Sequence, residues 1–184
     1  MGEIKKYLPV KLIMGVTTGD TALWEDVRPV LVGKYSAIDH ELDWYDFEHT
    51  DYYRSEMGGA LKKRFVSFQK PVPAETLPDI KLATNALENR HAIDGKRCIN
   101  LDPGYICTPK LVLATTKDFA HRIYLGKGVF GDIHLKFLAG RFQPQEWTYP
   151  DYREPFVLAF FEEVRGIYME SLKNVPITTL PSRS

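Results

Sequence analysis

Residues 96–127, KRCINLDPGYICTPKLVLATTKDFAHRIYLGK, contain the densest set of reactive side chains in the chain. Two apolar runs in this stretch, residues 97–101 and 111–115, predict buried strands. The Asp-Pro-Gly-Tyr sequence at 102–105 favours a turn, because Asp is preferred at the start of a turn and proline presets its backbone angle. The stretch therefore predicts two strands joined through a turn.

The end of the same stretch predicts a short helix over residues 117–124. Thr116 is a good N-cap for it, since a threonine hydroxyl accepts a hydrogen bond from a free backbone N–H of the first turn. The first turn of a helix carries a partial positive charge, which suits phosphate or carboxylate. The sequence therefore predicts an anion site where the turn and the helix cap meet.

The elements before this stretch predict a ferredoxin-like core. Their order is strand, helix, strand, strand, helix, strand, which is the βαββαβ order of that fold class. The predicted elements are a strand at 11–16, a helix at 21–31, strands at 38–47 and 63–69, a helix at 76–87 and the strand at 97–101.

The C-terminal part extends this core by an additional strand, a β-hairpin and a helix. The strand is 111–115, and the alternating pattern of 129–138 followed by Ala139 and Gly140 predicts the hairpin. Apolar residues at helical spacing from 157 to 168 predict the C-terminal helix. We expect an α+β fold in one domain, residues 1–184, with a core of about 8–173 and a loose tail.

Composition excludes several classes of protein. The chain has 24 Lys plus Arg and 24 Asp plus Glu, so its net charge is zero and it lacks the basic footprint of a general nucleic-acid binder. No apolar run approaches the roughly 20 residues that span a bilayer, and the N-terminus lacks a signal-peptide pattern. Two cysteines, Cys98 and Cys107, match neither a disulfide scaffold nor a zinc site. We expect a cytoplasmic protein with no membrane partner, and the composition leaves its oligomeric state open.

Charged and polar side chains of the central stretch supply the candidate ligand-binding residues. We expect Lys117, Arg122 and His121 to pair with negative groups of a ligand, and Asn100 and Asp102 to orient its polar groups or a metal. The full predicted set is Asn100, Thr116, Lys117, Arg122, Tyr124 and Lys127. A purely structural interpretation is open as well, because Asp118 and Arg122 have the i,i+4 spacing of a stabilising pair on a helix.

Asp102 and His121 are the candidate catalytic residues, acting as general acid or base. No His, Asp or Glu spacing matches a metal motif, so we assign no metal ligand; a carboxylate-rich site would favour magnesium or manganese over zinc. The phosphate-loop, dinucleotide, zinc-protease and nucleophile-elbow signatures are absent. The sequence leaves any cofactor unknown.

Several long motifs resemble one family of bacterial and archaeal proteins. LDPGY at 101–105, ATTKDFAHRIYLGKG at 114–128 and WTYPDYR at 147–153 carry the resemblance, together with TDYY, EMG and IDGKRCINLDPGY. The chain resembles the family called domain of unknown function 4416 over nearly its whole length. The resemblance implies no assigned reaction. Some members carry a GTP-binding label, for which this sequence offers only the imperfect TKD element at 116–118.

Three functions are compatible with these patterns. The first is binding of a small anionic or nucleotide-like ligand near residues 100–127. The second is a phosphate-ester hydrolase or transferase, with or without a metal. The third is a structural or assembly module that uses the polar-faced hairpin strand 130–138 as a sheet edge.

Overall fold

The fold is α+β, built on one large antiparallel sheet. The computed structural model describes residues 7–48, 57 and 60–173, and the tail that the sequence predicts to be loose lies outside them. Every strand pair in the described residues is antiparallel. The strands are β1 (Lys11–Thr18), β2 (Ile38–Glu41), β3 (Tyr45–Asp46), β4 (Lys62–Phe68), β5 (Ile99–Cys107), β6 (Lys110–Thr115), β7 (Arg122–Gly126), β8 (Val129–Leu138) and β9 (Arg141–Pro144).

The sheet order is β2-β4-β1-β5-β6-β8-β7, with β3 paired to β4 and β9 paired to β8. Three helices pack on this sheet within the described residues: α1 (Leu23–Lys34), α2 (Leu77–Arg90) and α3 (Pro155–Lys173). Short 3-10 turns, Ala74–Thr76 and Pro150–Arg153, precede α2 and α3. The sheet is thus larger than the predicted core and its hairpin.

Strand β1 lies inside the sheet between β4 and β5, and all eight of its residues are buried. Side chains alternate between the two faces of a strand, so Met14 and its even-numbered neighbours join a core with α1 and α2. Ile13 points to the opposite face and joins a second core with α3. A strand buried on both faces is a nearly continuous apolar run, which is why the sequence identified this one.

The predicted helix over residues 117–124 is wrong. This segment contains a turn closed by a hydrogen bond from the Arg122 N–H to the Phe119 oxygen, 2.9 Å, followed by strand β7. Arg122 lies opposite Asp132 in the β7–β8 ladder. Ile123 and Tyr124 favour a pleated strand, and this pairing outweighs a weak local helix signal. Without a helix, no helix N-terminus contributes to the predicted anion site, and anion binding by these residues stays a prediction.

The predicted turn at 102–105 is also wrong, because these residues lie inside β5. Asp102 pairs with Gly15, and Pro103 pairs with Met14. Proline has no N–H and is tolerated in a sheet where ladder pairing is interrupted. The pairing of β5 with β6 stops at Gly104, so Pro103 marks the interruption.

The predicted hairpin at 129–143 is confirmed. Strand β8 turns through Ala139 and Gly140, which both have positive φ, into β9. However, β8 pairs with β6 on one side and with β7 and β9 on the other, so it is not a sheet edge. Within the described residues, β7 lies at that end of the sheet.

Candidate functional site

A fork between β5 and β6 creates the candidate site. The two strands pair over only four positions, from Gly104 with Leu113 to Cys107 with Lys110. A Cβ built at Gly104 would lie 2.5 Å from the Val112 carbonyl oxygen, so only glycine permits this close approach. Beyond this point, among the described residues, β5 pairs only with β1, and β6 pairs only with β8. The strands separate and leave a gap in the sheet.

A cavity of about 310 Å³ lies in this gap. Its walls come from α2, β5, β6 and β8, from the segment before β5 and from the segments that follow β6 and β9. All but two of the lining residues carry polar or charged side chains: Lys81, Asn85, Glu88, Asn89, Arg97, Asn100, Asp102, Leu113, Ala114, Thr115, Thr116, Lys117, Asp132, His134 and Tyr149. Ligand pockets are more often apolar, so this cavity suits a hydrophilic ligand.

Two α2 side chains replace the missing neighbouring strand at Leu101. The Leu101 N–H donates to Glu88 Oε1 at 2.7 Å, and Lys81 Nζ donates to the Leu101 oxygen at 3.1 Å. Burial raises the pKa of Glu88, although Lys81 and the Leu101 N–H oppose that rise. Since an unpaired buried backbone group costs about 1–3 kcal/mol, both side chains have a clear structural role.

Asp102 is held by two polar neighbours. Asn100 Nδ2 donates to its Oδ2 at 2.7 Å, and Lys81 Nζ lies 3.4 Å from its Oδ1. Burial would raise the pKa of Asp102, but the charges of Lys81 and Lys63 and the Asn100 hydrogen bond outweigh it. The pKa therefore lies below its ordinary value, and the side chain is a carboxylate at neutral pH.

Asp132 and Arg122 form a buried ion pair beside the cavity. Arg122 Nε donates to Asp132 Oδ2 at 2.8 Å, and Arg122 Nη1 donates to the Lys117 backbone oxygen at 2.8 Å. His121 Nε2 lies 3.4 Å from the same Asp132 oxygen without hydrogen-bond geometry. The His121 ring stacks on Trp147, with ring centroids 4.8 Å apart. Asp132 thus links the two predicted residues Arg122 and His121 to the cavity wall.

His134 is the least expected residue of the site. The β6–β8 register skips it between Ile133 and Leu135, so it is the extra residue of a β-bulge. Its side chain is fully buried beside Tyr149, and neither ring nitrogen has a hydrogen-bond partner among the described residues. Burial lowers the pKa of His134 to about 4 against the opposing charge of Asp132, so the ring is neutral at pH 7.

The structure brings some of the sequence-predicted residues together and leaves others apart. Those that line the cavity are Asn100, Asp102, Thr116 and Lys117. Tyr124 lies on β7 against Phe130 and is 61% exposed. Lys127 pairs with Asp79 at 2.5 Å on the surface. Neither of these two side chains lines the cavity.

Sequence reasoning missed the contributions of α2 and β8. Lys81, Asn85 and Glu88 have the i, i+4, i+7 spacing of one helix face, beside the apolar stripe that predicted the helix. That polar face was a usable signal. His134 offered none, because its orientation depends on a bulge that arises only when β8 pairs with β6.

Neither a metal centre nor a membrane span is found in the described part of the chain. No three His, Cys, Asp or Glu residues there converge as metal ligands. No helix within 7–48 or 60–173 has the length and apolar character needed to cross a bilayer. The cytoplasmic location stays a prediction.

Comparison with known proteins identifies a family without an assigned reaction. Neither curated proteins nor solved structures give a significant match. Residues 8–168 match Domain of unknown function (DUF4416), and the match includes every residue that lines the cavity. It adds no support for GTP binding. Since the match covers most of the chain, the protein belongs to the family Domain of unknown function (DUF4416).

Proposed function

We propose that the protein binds a small hydrophilic ligand with an anionic group in the fork between β5 and β6. The observation that carries this proposal is a polar cavity whose buried wall includes unpartnered hydrogen-bonding atoms. Such atoms are rare in folded proteins and call for a water, an ion or a ligand. In this cavity they belong to His134 and Asp132.

The charges around the cavity favour an anion. Four cationic side chains lie in its wall or directly behind it: Lys81, Arg97, Lys117 and Arg122. Three carboxylates face them: Glu88, Asp102 and Asp132. The lining residues alone balance to zero, and Arg122 behind the wall adds one positive charge. Lys117 is exposed at the cavity mouth, where an incoming anion meets it first.

Native mass spectrometry of the freshly purified protein tests this proposal by detecting any copurifying ligand. Calorimetric titration with inorganic phosphate and with a nucleoside monophosphate then measures affinity. In Lys117→Ala we expect about tenfold weaker binding, the loss of one charge-assisted hydrogen bond. Lys127→Ala is the matched control, since Lys127 lies outside the cavity, and it should bind as the parent does. Equal affinities in both variants and the parent would place the anion elsewhere.

A nucleotide-like ligand is the narrower form of this proposal. The Tyr149 ring lines the cavity and is 38% exposed, so it offers a surface on which a base can stack. A nucleoside monophosphate that binds no better than inorganic phosphate would remove this part while leaving anion binding intact.

An enzyme acting on phosphate esters is the second candidate. The ionised Asp102 in a polar cavity favours it, because a carboxylate accepts a proton or attacks phosphorus. The lowered pKa of Asp102 makes it a weak base, so we expect low rates. Turnover on a substrate panel with and without magnesium, lost in Asp102→Asn, would support this function. Inactivity of the parent across that panel would count against it.

The arrangement of β1, α1, β2, β4, α2 and β5 supports a ferredoxin-like origin for one half of the sheet. Its strand order is β2-β4-β1-β5, all antiparallel, and α1 and α2 share one core on one face. We propose that β6 to β9 were added to this unit, which places the cavity at the junction.

An assembly function would have to use another peripheral strand, such as β7, instead of the predicted hairpin strand, because β8 is already paired on both sides. Light scattering over a range of protein concentrations tests this alternative. A monomer at every concentration would remove it.

A further inference from the structure

The buried end of the cavity has a defined hydrogen-bonding character. Three atoms there are buried and have no hydrogen-bond partner among the described residues: both ring nitrogens of His134 and Oδ1 of Asp132. The His134 ring is neutral at pH 7 because burial lowers its pKa to about 4. A neutral imidazole has one N–H donor and one acceptor nitrogen. The buried end therefore presents one donor and two acceptors.

Only some chemical groups satisfy this set of atoms. An ammonium has donors alone and would leave the His134 N–H unpaired. An ionised phosphate or carboxylate oxygen accepts alone and would lie beside the carboxylate of Asp132, which is 1% exposed, where like charges repel strongly. A hydroxyl both donates and accepts, so it can accept from the His134 N–H and donate to Asp132 Oδ1.

We infer that the ligand is a hydroxylated anion, whose hydroxyl binds His134 and Asp132 while its anionic group lies toward Lys117 at the mouth. This inference rests on the proposed function, because it assigns the second half of the same ligand. The shared chemistry is a hydroxyl joined to a phosphate or carboxylate by a short carbon chain, as in polyol phosphates and hydroxy acids. The unpartnered second acceptor suits a ligand with a further hydroxyl.

Matched ligand pairs test this inference in the unmodified protein. Glycerol phosphate and propyl phosphate differ only in hydroxyl groups, as do glycerate and propionate. Isothermal titration calorimetry at pH 7.5 should show at least about tenfold tighter binding of the hydroxylated member, since one satisfied hydrogen bond in a buried site is worth about that factor. Whichever hydroxylated compound, glycerol phosphate or glycerate, binds more tightly identifies the anionic group as phosphate or carboxylate.

The outcomes separate the two proposals. If no member of either pair binds, the proposed function fails, and the inference fails with it. If both members of a pair bind with equal affinity, the cavity holds an anion but the hydroxyl assignment is overturned, and waters occupy the buried end. A tighter fit of propyl phosphate than of glycerol phosphate overturns it as well.

His134→Phe supplies the second arm, because phenylalanine keeps an aromatic ring, though a larger one, and lacks both nitrogens. We expect its preference for glycerol phosphate over propyl phosphate to fall from about tenfold to below about threefold, measured as the ratio of the two affinities within the variant. His40→Phe is the matched control: His40 also stacks on an aromatic ring, that of Phe160 at 5.1 Å, but lies outside the cavity. Loss of selectivity in both variants, or in neither, contradicts the assignment. If His134→Phe fails to fold, the ligand pairs in the parent still decide.

Discussion

Protonation of His134 should destabilise the fold between about pH 6.5 and pH 4. The pKa is about 4 in the folded protein and 6.5 for an ordinary histidine, so in this window the unfolded chain binds a proton that the folded protein does not. Stability then falls as pH falls. The contribution of His134 is fully present above pH 6.5 and is lost progressively toward pH 4.

The size of this loss follows from the shift, since one pKa unit corresponds to 1.36 kcal/mol. Between pH 7 and pH 5 the free energy of unfolding should fall by about 2 kcal/mol from this histidine alone. The charges that face the ring are those of Asp132, Asp151, Arg122 and Asp102. These groups are present in parent and variant, so a comparison between the two isolates the imidazole.

Urea unfolding followed by tryptophan fluorescence, at half-unit steps from pH 7.5 to pH 4.5, measures the effect in the parent and in His134→Phe. The variant should lack the His134 part of the pH dependence, so the difference in unfolding free energy between the two proteins should change by about 2 kcal/mol from pH 7 to pH 5. A constant offset between the two curves would show that His134 is not held neutral by burial and would refute the reasoning. His91→Phe is the control, because His91 is partly exposed at the end of α2.

Three further predictions concern the fork and its surroundings. Gly104→Ala should destabilise the protein by about 2–4 kcal/mol in urea unfolding, because its Cβ would lie 2.5 Å from the Val112 oxygen. The control is Gly166→Ala, which has open space around its Cβ and should be neutral or stabilising by up to about 1 kcal/mol. Equal effects of the two substitutions would contradict the close approach at Gly104. Glu88→Ala should cost about 1–3 kcal/mol by leaving the Leu101 N–H unpaired, whereas Glu88→Gln keeps an acceptor oxygen and should cost less than half of that; equal costs would show that this hydrogen bond is unimportant. Lys127→Ala removes an ion pair whose side chains are more than half exposed, so the free energy of unfolding should change by less than about 0.5 kcal/mol. A larger loss would show that the pair is coupled to other contacts.

The sequence predicted the elements whose signals are local. Strand β1 is a continuous apolar run, and the Ala139-Gly140 turn marks the β8–β9 hairpin, so both were found. The α+β class followed from the order of such elements. Local signals misled where pairing decides the outcome: the Asp-Pro-Gly sequence at 102–104 is typical of a turn, yet β1 holds it in a strand.

For the same reason, only part of the candidate site could be predicted from the sequence. Asn100, Asp102, Thr116 and Lys117 cluster along the chain, and all four line the cavity. Lys81 comes from a helix about 20 residues earlier, and its partner Leu101 is known only once α2 packs beneath β5. The burial of His134 depends on a bulge, and no residue near it in the sequence marks that position.

The short contact between β5 and β6 has a consequence for how the protein opens. In the described residues, these four paired positions are the only ladder that joins the two parts of the sheet, one containing β1 and the other β8. Regions with few shared hydrogen bonds separate more readily in local unfolding. A ligand that contacts Asn100 on one part and His134 on the other would link the two parts and oppose their separation. Amide hydrogen exchange at residues 110–115 should therefore slow when the cavity is filled, even though the ligand touches few of those amides.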